Sequence, residues 1–328
     1  MKTLRQIALV ILALALVFAS ACAPDTSKET YYMIAANVQL PYWQTAANGF
    51  NKAAAQYKVT AKVVGPASYD PVGELDALQQ AIRSKPSGIL ISVSDVDTLQ
   101  RTIDTAVQQG IPVITMDSDA AISRRLYFIG TNNAEAGRLG GGRLVDKLNG
   151  KGNVVFLTIP GQPNLEERLS GFKQVLSTQP GIKIAEIVDI KGDAATAFDK
   201  AQQALARTGP QKVDAIVCLE AVAGKPVADA IKRANAHDRE IIAWDADPGT
   251  LAAISDGTID ATIAQKPYTM GFFGLSLLHQ VFNAPPAQLN KDFRSDFYSP
   301  VPVFVDTGST LVDRGNVDLY LSATAANK

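Results

Sequence analysis

From Tyr31 onward the chain alternates short apolar runs with stretches whose apolar residues return every three or four positions, the two periodicities of buried strands and amphipathic helices. Strands are expected over 32–37, 61–64, 88–93, 111–116 and 126–129, with helices over 43–57, 73–83 and 96–109, the last stopped by Gly110. The helix over 43–57 collects Phe50, Ala54 and Tyr57 on one face, and the strand over 88–93 reads as buried on both sides. The pattern then starts again. Helices over 134–148, 164–177, 194–207, 225–236, 250–256 and 268–282 alternate with strands over 153–158, 183–188, 214–219, 240–244 and 260–264. Repeated βα units imply α/β architecture with mainly parallel sheets and helices on both faces, and two series of similar length suggest two lobes.

The N-terminal end follows another pattern. Lys2 and Arg5 precede a nearly continuous apolar run over 7–18, too short for a span of ~20 residues and suited to the core of a signal peptide. Ala19, Ser20, Ala21 and Cys22 then resemble a bacterial lipobox, in which the cysteine is lipidated and becomes the mature N-terminus. The same small residues also satisfy the rule for ordinary signal-peptidase cleavage. Residues 1–21 are thus expected to be removed, and 22–30 to form a lipidated, flexible tether.

Within 328 residues, 47% hydrophobic and 19% charged content excludes a disordered, collagen-like or coiled-coil chain and leaves room for about two domains. A net charge of −1 argues against a nucleic-acid surface. Two cysteines exclude a disulfide scaffold, and Cys218 reads as a small buried strand residue. His237 and His279 fall on helices and supply neither a metal centre nor His-based catalysis. Gly140, Gly141 and Gly142 lie inside a helix with no strand directly before it, which indicates close helix packing rather than a dinucleotide loop. No cofactor and no metal are expected.

In open parallel sheets the carboxyl ends of the strands form the ligand crevice, so the polar residues just after each strand carry the information. They are Asn37, Ser92, Asp117, Ser118, Asp119, Asn132, Glu220, Asp245, Asp247 and Gln265. Carboxylates and amides without His or Cys suit hydrogen bonding to neutral hydroxyls, not nucleophilic attack.

Several segments carry a resemblance. Ile111 through Asp117 reads IPVITMD, Gly130 to Asn133 is followed by Ala136 and Gly137, and Arg168 stands before Gly171 and Phe172. Ile241 to Asp245 ends in an aspartate, and Asp256 and Gly257 lead into ATIAQ at 261–265. In this order and spacing the chain resembles the sugar-binding proteins of bacterial ABC importers, the ribose-binding-protein-like group of type I periplasmic binding proteins. The resemblance spans nearly the whole mature chain. It implies two Rossmann-like lobes joined by a three-strand hinge, with 31–131 plus 265–291 in the N-terminal lobe and 132–264 plus 292–328 in the C-terminal lobe.

Carried over residue by residue, the resemblance puts Asn37 at the cleft and Tyr42 and Trp43 against the C–H face of a sugar ring. Asp117, Asp119, Glu220 and Asp245 would accept hydroxyls, Arg168 would donate from the opposite lobe, and Gln265 would bridge from the return strand. Plainer readings stand beside these: Tyr42 and Trp43 as a hydrophobic staple, Arg168 in a surface ion pair, Glu220 as a helix cap, Trp244 in the core. The chain departs from ribose binders where Ser118 replaces an arginine, Glu220 an asparagine and Leu40 an asparagine. The implied pocket is more acidic and richer in acceptors, open to another pentose, a hexose, a polyol or an amino-bearing ligand.

The expected function is a monomeric, lipid-anchored receptor of the cell envelope, not an enzyme, that delivers a monosaccharide-like solute to an ABC transporter permease. It would have no nucleic-acid partner. Two alternatives remain at this stage: a receptor presenting a sugar or signalling furanose to a chemoreceptor or kinase, and a secreted glycosidase using Asp117 with Asp245.

Overall fold

The structure, a computed structural model, describes residues 29–326, so the expected signal peptide, the Cys22 lipidation site and most of the tether lie outside the described residues. Among the described residues no helix is long and apolar enough to cross a membrane.

Two six-stranded sheets organise the chain. The first holds β1 (Thr30–Ile34), β2 (Thr60–Val64), β3 (Gly88–Ile91), β4 (Val113–Met116), β5 (Phe128–Gly130) and β11 (Phe304–Asp306), in the order β11-β5-β4-β3-β1-β2. The second holds β6 (Lys151–Thr158), β7 (Gly181–Asp189), β8 (Ala215–Cys218), β9 (Glu240–Trp244), β10 (Ala261–Ala264) and β12 (Thr310–Asp313), in the order β12-β10-β9-β8-β6-β7. All pairings are parallel except β10 with β12. In both sheets the strand order reverses beside the first strand of its series, which creates the crevice where such sheets bind ligands.

The alternation along β1 shows how the first sheet is covered. Tyr31 and Met33 join the core under α1 (Pro41–Tyr57) and α9 (Pro267–Asn283). Tyr32 and Ile34 face the core formed with α2 (Pro71–Arg83) and α3 (Val96–Gln108). Helix starts follow local chemistry: Asp70 accepts from the N–H groups of Val72 and Gly73, and Asp95 from that of Thr98. Gly110 takes φ +83 just past α3, the left-handed backbone that glycine adopts without strain.

The second lobe is built on α4 (Asn133–Leu148), α5 (Pro163–Leu176), α6 (Ala194–Leu205), α7 (Gly224–Ala234) and α8 (Pro248–Ser255) around one continuous core that includes buried Cys218 and Trp244. Glycines let α4 and α5 approach to backbone contact. A Cβ on Gly171 would lie 2.2 Å from the carbonyl oxygen of Ala134, and one on Gly137 2.2 Å from that of Arg168. Gly140 and Gly141 face Phe172 and Val175, as the helix-packing reading requires, whereas Gly142 has open space beside it.

Among the described residues the chain crosses between sheets three times: after β5, after β10, and between β11 and β12. The crossings are laced together. Thr131 Oγ1 donates to Gln265 Oε1 at 2.8 Å, the Asn132 N–H to Asp306 Oδ1 at 3.2 Å, and the Thr307 N–H to the Gly130 carbonyl at 2.8 Å. The third crossing corrects the expected boundary at 291/292. β11 pairs with β5 in the first sheet, so the chain leaves the N-terminal lobe only after Asp306. The periodic reading ended at 282 and did not include β11, β12 or α10 (Val317–Ala326). These edge strands are only three and four residues long, and β11 is mostly exposed, so they lack the sustained apolar run of interior strands.

Gly171→Ala is expected to destabilise the protein by ~1–3 kcal/mol, because its methyl meets backbone that cannot step aside. Gly142→Ala on the adjoining helix should be neutral or stabilising by up to ~1 kcal/mol. Denaturant unfolding of the two variants checks this; equal midpoints would count against the close-approach account.

Candidate functional site

The strand ends converge where the lobes face each other. β4 and β9 occupy the fourth place in their respective βα series, and each is followed by an aspartate in the left-handed backbone region, Asp117 at φ +62 and Asp245 at φ +65. Aspartate tolerates this conformation better than bulkier residues, and the turn aims each carboxylate into the space between the lobes. Both residues are buried.

Asp117 is the meeting point of the two halves. Its Oδ1 accepts from the Tyr42 hydroxyl at 2.7 Å, and its Oδ2 from Asn164 Nδ2 at 3.2 Å and Ser92 Oγ at 3.5 Å. Tyr42 and Ser92 belong to the first lobe, Asn164 to the first turn of α5 in the second. Arg168, one turn further along α5, brings Nη2 to 4.0 Å from Asp117 Oδ1.

Arg168 is held rather than free. Nε donates to Asn133 Oδ1 at 2.9 Å, Nη1 to the Leu219 carbonyl at 2.8 Å, and the guanidinium lies over the Trp244 ring at 4.5 Å from its centroid. Its Nη2 is buried and has no hydrogen-bond partner. Trp244 is fully buried in the second-lobe core, as the plainer reading expected, yet that packing is what supports Arg168 from behind.

A cavity lies among these groups where the lobes meet. Of the sequence-designated residues, Asn37, Tyr42, Trp43, Asp117, Arg168, Glu220, Asp245 and Gln265 line it. Tyr42 and Trp43 meet edge to face at 5.1 Å between centroids. Gln265 donates to Asp245 Oδ1 at 3.0 Å while accepting from Thr131, which ties the site to the crossings. Glu220 does two things at once: it faces the cavity, and its Oε2 caps the following turn by accepting from the Val222 N–H at 2.7 Å.

Asp119 is a correction. Arg125 grips both of its oxygens, Nε to Oδ1 at 2.6 Å and Nη2 to Oδ2 at 2.5 Å, and Thr115 Oγ1 donates to Oδ1. Arg125 also donates to the Val303 carbonyl, so the pair fastens the β4–β5 connection to the segment before β11. Asp119 does not line the cavity.

The structure adds Tyr69, Ile159, Gln162 and Asn164 to the lining. Tyr69 donates its hydroxyl to the Ser94 carbonyl at 3.2 Å and lies across the cleft against Gly192, where a Cβ would come within 2.8 Å of its own. The strand-end rule reaches these residues once it is extended through the loops after β2 and β6.

Burial dominates the electrostatics. It raises the Asp117 carboxyl, with Arg168 and Tyr42 opposing, and pushes Asp245 up to about 7 against the pull of Arg168 and Gln265. It likewise pushes Glu220 up to about 7, opposed by the Val222 N–H and Arg168. Behind the site Glu74 is fully buried and pushed up to about 8, although it accepts from both the N–H and the hydroxyl of Ser94. Among the described residues no group of His, Cys, Asp and Glu is arranged to hold a metal ion.

Residues 31–285 match the family model described as "Periplasmic binding protein domain". The chain belongs to the periplasmic binding protein family. Within it the chain falls in the ribose-binding-protein-like group, the solute-binding components of ABC importers. The Ribose import binding protein RbsB of Escherichia coli strain K12 is 26% identical over 299 residues, covering 87% of this chain and 95% of that protein. A sugar-binding protein of a Bacillus halodurans sugar ABC transporter is 35% identical with a TM-score of 0.78, covering 89% of this chain and 100% of that one. An ABC transporter solute-binding protein from Burkholderia graminis, solved in complex with D-arabinose, is 28% identical with a TM-score of 0.81, covering 90% of this chain and 98% of that one. The family is one of binding proteins, not catalysts, and its members are exported.

The buried carboxyls of this periplasmic binding protein have a measurable consequence. Glu74, Glu220 and Asp245 hold protons in the folded state that they would release on unfolding above about pH 4.5, so stability falls as pH rises from there to about 8. The unliganded protein is expected to melt at a lower temperature at pH 8.5 than at pH 5.5. Glu74→Gln should flatten that slope; an unchanged slope would remove Glu74 from the account.

Proposed function

We propose that this protein is an exported lipoprotein that captures a monosaccharide or related polyol between its lobes and hands it to the permease of an ABC importer. One observation carries the reading: Asp117 and Asp245, from opposite lobes, line one cavity together with the held guanidinium of Arg168 and the rings of Tyr42 and Trp43. The arrangement suits a small guest with hydroxyls on its rim and apolar C–H groups on its face. The relatives that carry ribose in their name or D-arabinose in their site support the same class of guest.

In this reading the two aspartates accept hydroxyls, Arg168 Nη2 donates, and Asn37 and Gln265 complete the rim. A guest that touches both lobes stabilises the closed form over the open one, and a preference of several kcal/mol shifts the population decisively. The crossings after Thr131, at Gln265 and after Asp306 are the places for the hinge. The permease then reads the paired surfaces of the closed lobes. Cys22 carries the lipid that keeps the receptor at the membrane surface.

A thermal-shift screen of pentoses, hexoses and polyols is expected to find at least one that raises the melting temperature by ~2 °C or more at saturating concentration. Asp117→Ala should abolish that shift while the circular dichroism spectrum persists; absence of any shift in the parent protein would refute the reading. Cys22→Ala, expressed with its own signal peptide, should move the protein from the membrane fraction to the soluble exported fraction. Retention of the variant in the membrane would refute anchoring through that residue.

A further inference from the structure

The charged groups of the cavity are mostly acceptors. Its charged lining is three carboxylates, Asp117, Glu220 and Asp245, against the one guanidinium of Arg168. Among the neutral donors of the lining, those of Asn37 and Trp43 stay open, while others are partly committed within the protein. The Tyr42 hydroxyl and Asn164 Nδ2 donate to Asp117, Gln162 Nε2 to Asn164 Oδ1, and Gln265 Nε2 to Asp245. Arg168 Nη2, at a residue only 2% exposed, is left over.

That inventory discriminates between guests. A hydroxyl brings one donor and two lone pairs, so a guest made only of hydroxyls pairs with the open donors of Arg168, Asn37 and Trp43 but leaves the excess negative charge uncompensated. An ammonium brings three donors, a positive charge and no lone pair. The negative end of the cavity is also defined. The charge of Glu220 helps to raise Asp245, those of Asp117 and Asp247 help to raise Glu220, and Arg168 opposes both shifts. Glu220 keeps only Oε2 occupied, by the Val222 N–H.

We propose that the guest carries a protonated amine seated against Glu220 and Asp245, an amino sugar or amino polyol whose hydroxylated remainder lies between Arg168 and the Tyr42–Trp43 face. The proposal rests on the reading of the cleft as a sugar site and names the class of sugar. Burial holds both carboxyls near neutrality in the empty site, and an adjacent ammonium draws them into the ionised form, a gain that an uncharged guest does not provide. Glu220 is then the residue that sets specificity.

Calorimetric titration of the whole mature protein at pH 7 tests this with matched pairs. They are D-glucosamine against D-glucose, D-galactosamine against D-galactose, D-mannosamine against D-mannose, and 1-amino-1-deoxy-D-sorbitol against D-sorbitol, with D-ribose, D-arabinose, D-xylose and xylitol as further neutral probes. At least one amine is expected to bind tenfold or more tightly than its parent and than every neutral probe, and Glu220→Gln is expected to reduce that ratio at least tenfold. If a neutral sugar or polyol binds and no amine exceeds its parent, or if Glu220→Gln leaves the ratio unchanged, the amine is overturned while the sugar receptor stands. If no member of either group binds, both readings fall.

Discussion

The site between the two lobes is built around one fixed cation, the buried guanidinium of Arg168. Arg168 is fixed by Asn133, by the Leu219 carbonyl and by the face of Trp244, so three separate segments of the second lobe agree on its position. Its remaining edge points toward Asp117 of the first lobe. Removing a guanidinium from water is costly unless its donors are satisfied, and the donors left unsatisfied mark where a guest belongs. The cavity, the raised carboxyls and the cross-lobe contact through Asn164 are all arranged around that requirement.

Topology places the groups that surround it. Each sheet reverses its strand order beside β1 or β6, and parallel strands deliver their carboxyl ends to the same side. The two aspartates at the ends of β4 and β9 share a left-handed turn that an ordinary side chain resists, so the same local device appears once in each lobe. The glycines between α4 and α5 serve the same end less directly. Gly137 and Gly171 let α4 come close enough to α5 for Asn133 to reach Arg168.

Much of this was legible along the chain because buried parallel strands write themselves as apolar runs and amphipathic helices as a three-to-four-residue repeat. Residues immediately after such runs, such as Asp117, Glu220 and Asp245, are visible by position alone. Asp119 shows the limit of that rule. Three residues past the strand the chain has turned, and a nearby arginine, Arg125, captures a carboxylate that position alone assigns to the cleft. Tyr69, Gln162 and Asn164 sit several residues beyond their strands, where loop geometry decides direction and periodicity is silent. The last crossing is hidden from the sequence for a related reason: β11 is three residues long and largely exposed, so it leaves no hydrophobic signal to say which sheet it joins.

The sequence by itself determined the α/β class, the two series of units and the chemical character of the strand ends, because local periodicity and residue type need no partner to be read. Only the tertiary structure decided which carboxylates share a cavity, that Glu220 is both a cap and a lining residue, and that Trp244 serves the site from within the core. Those outcomes depend on contacts between residues far apart in the chain, and on which donors are already taken when they meet.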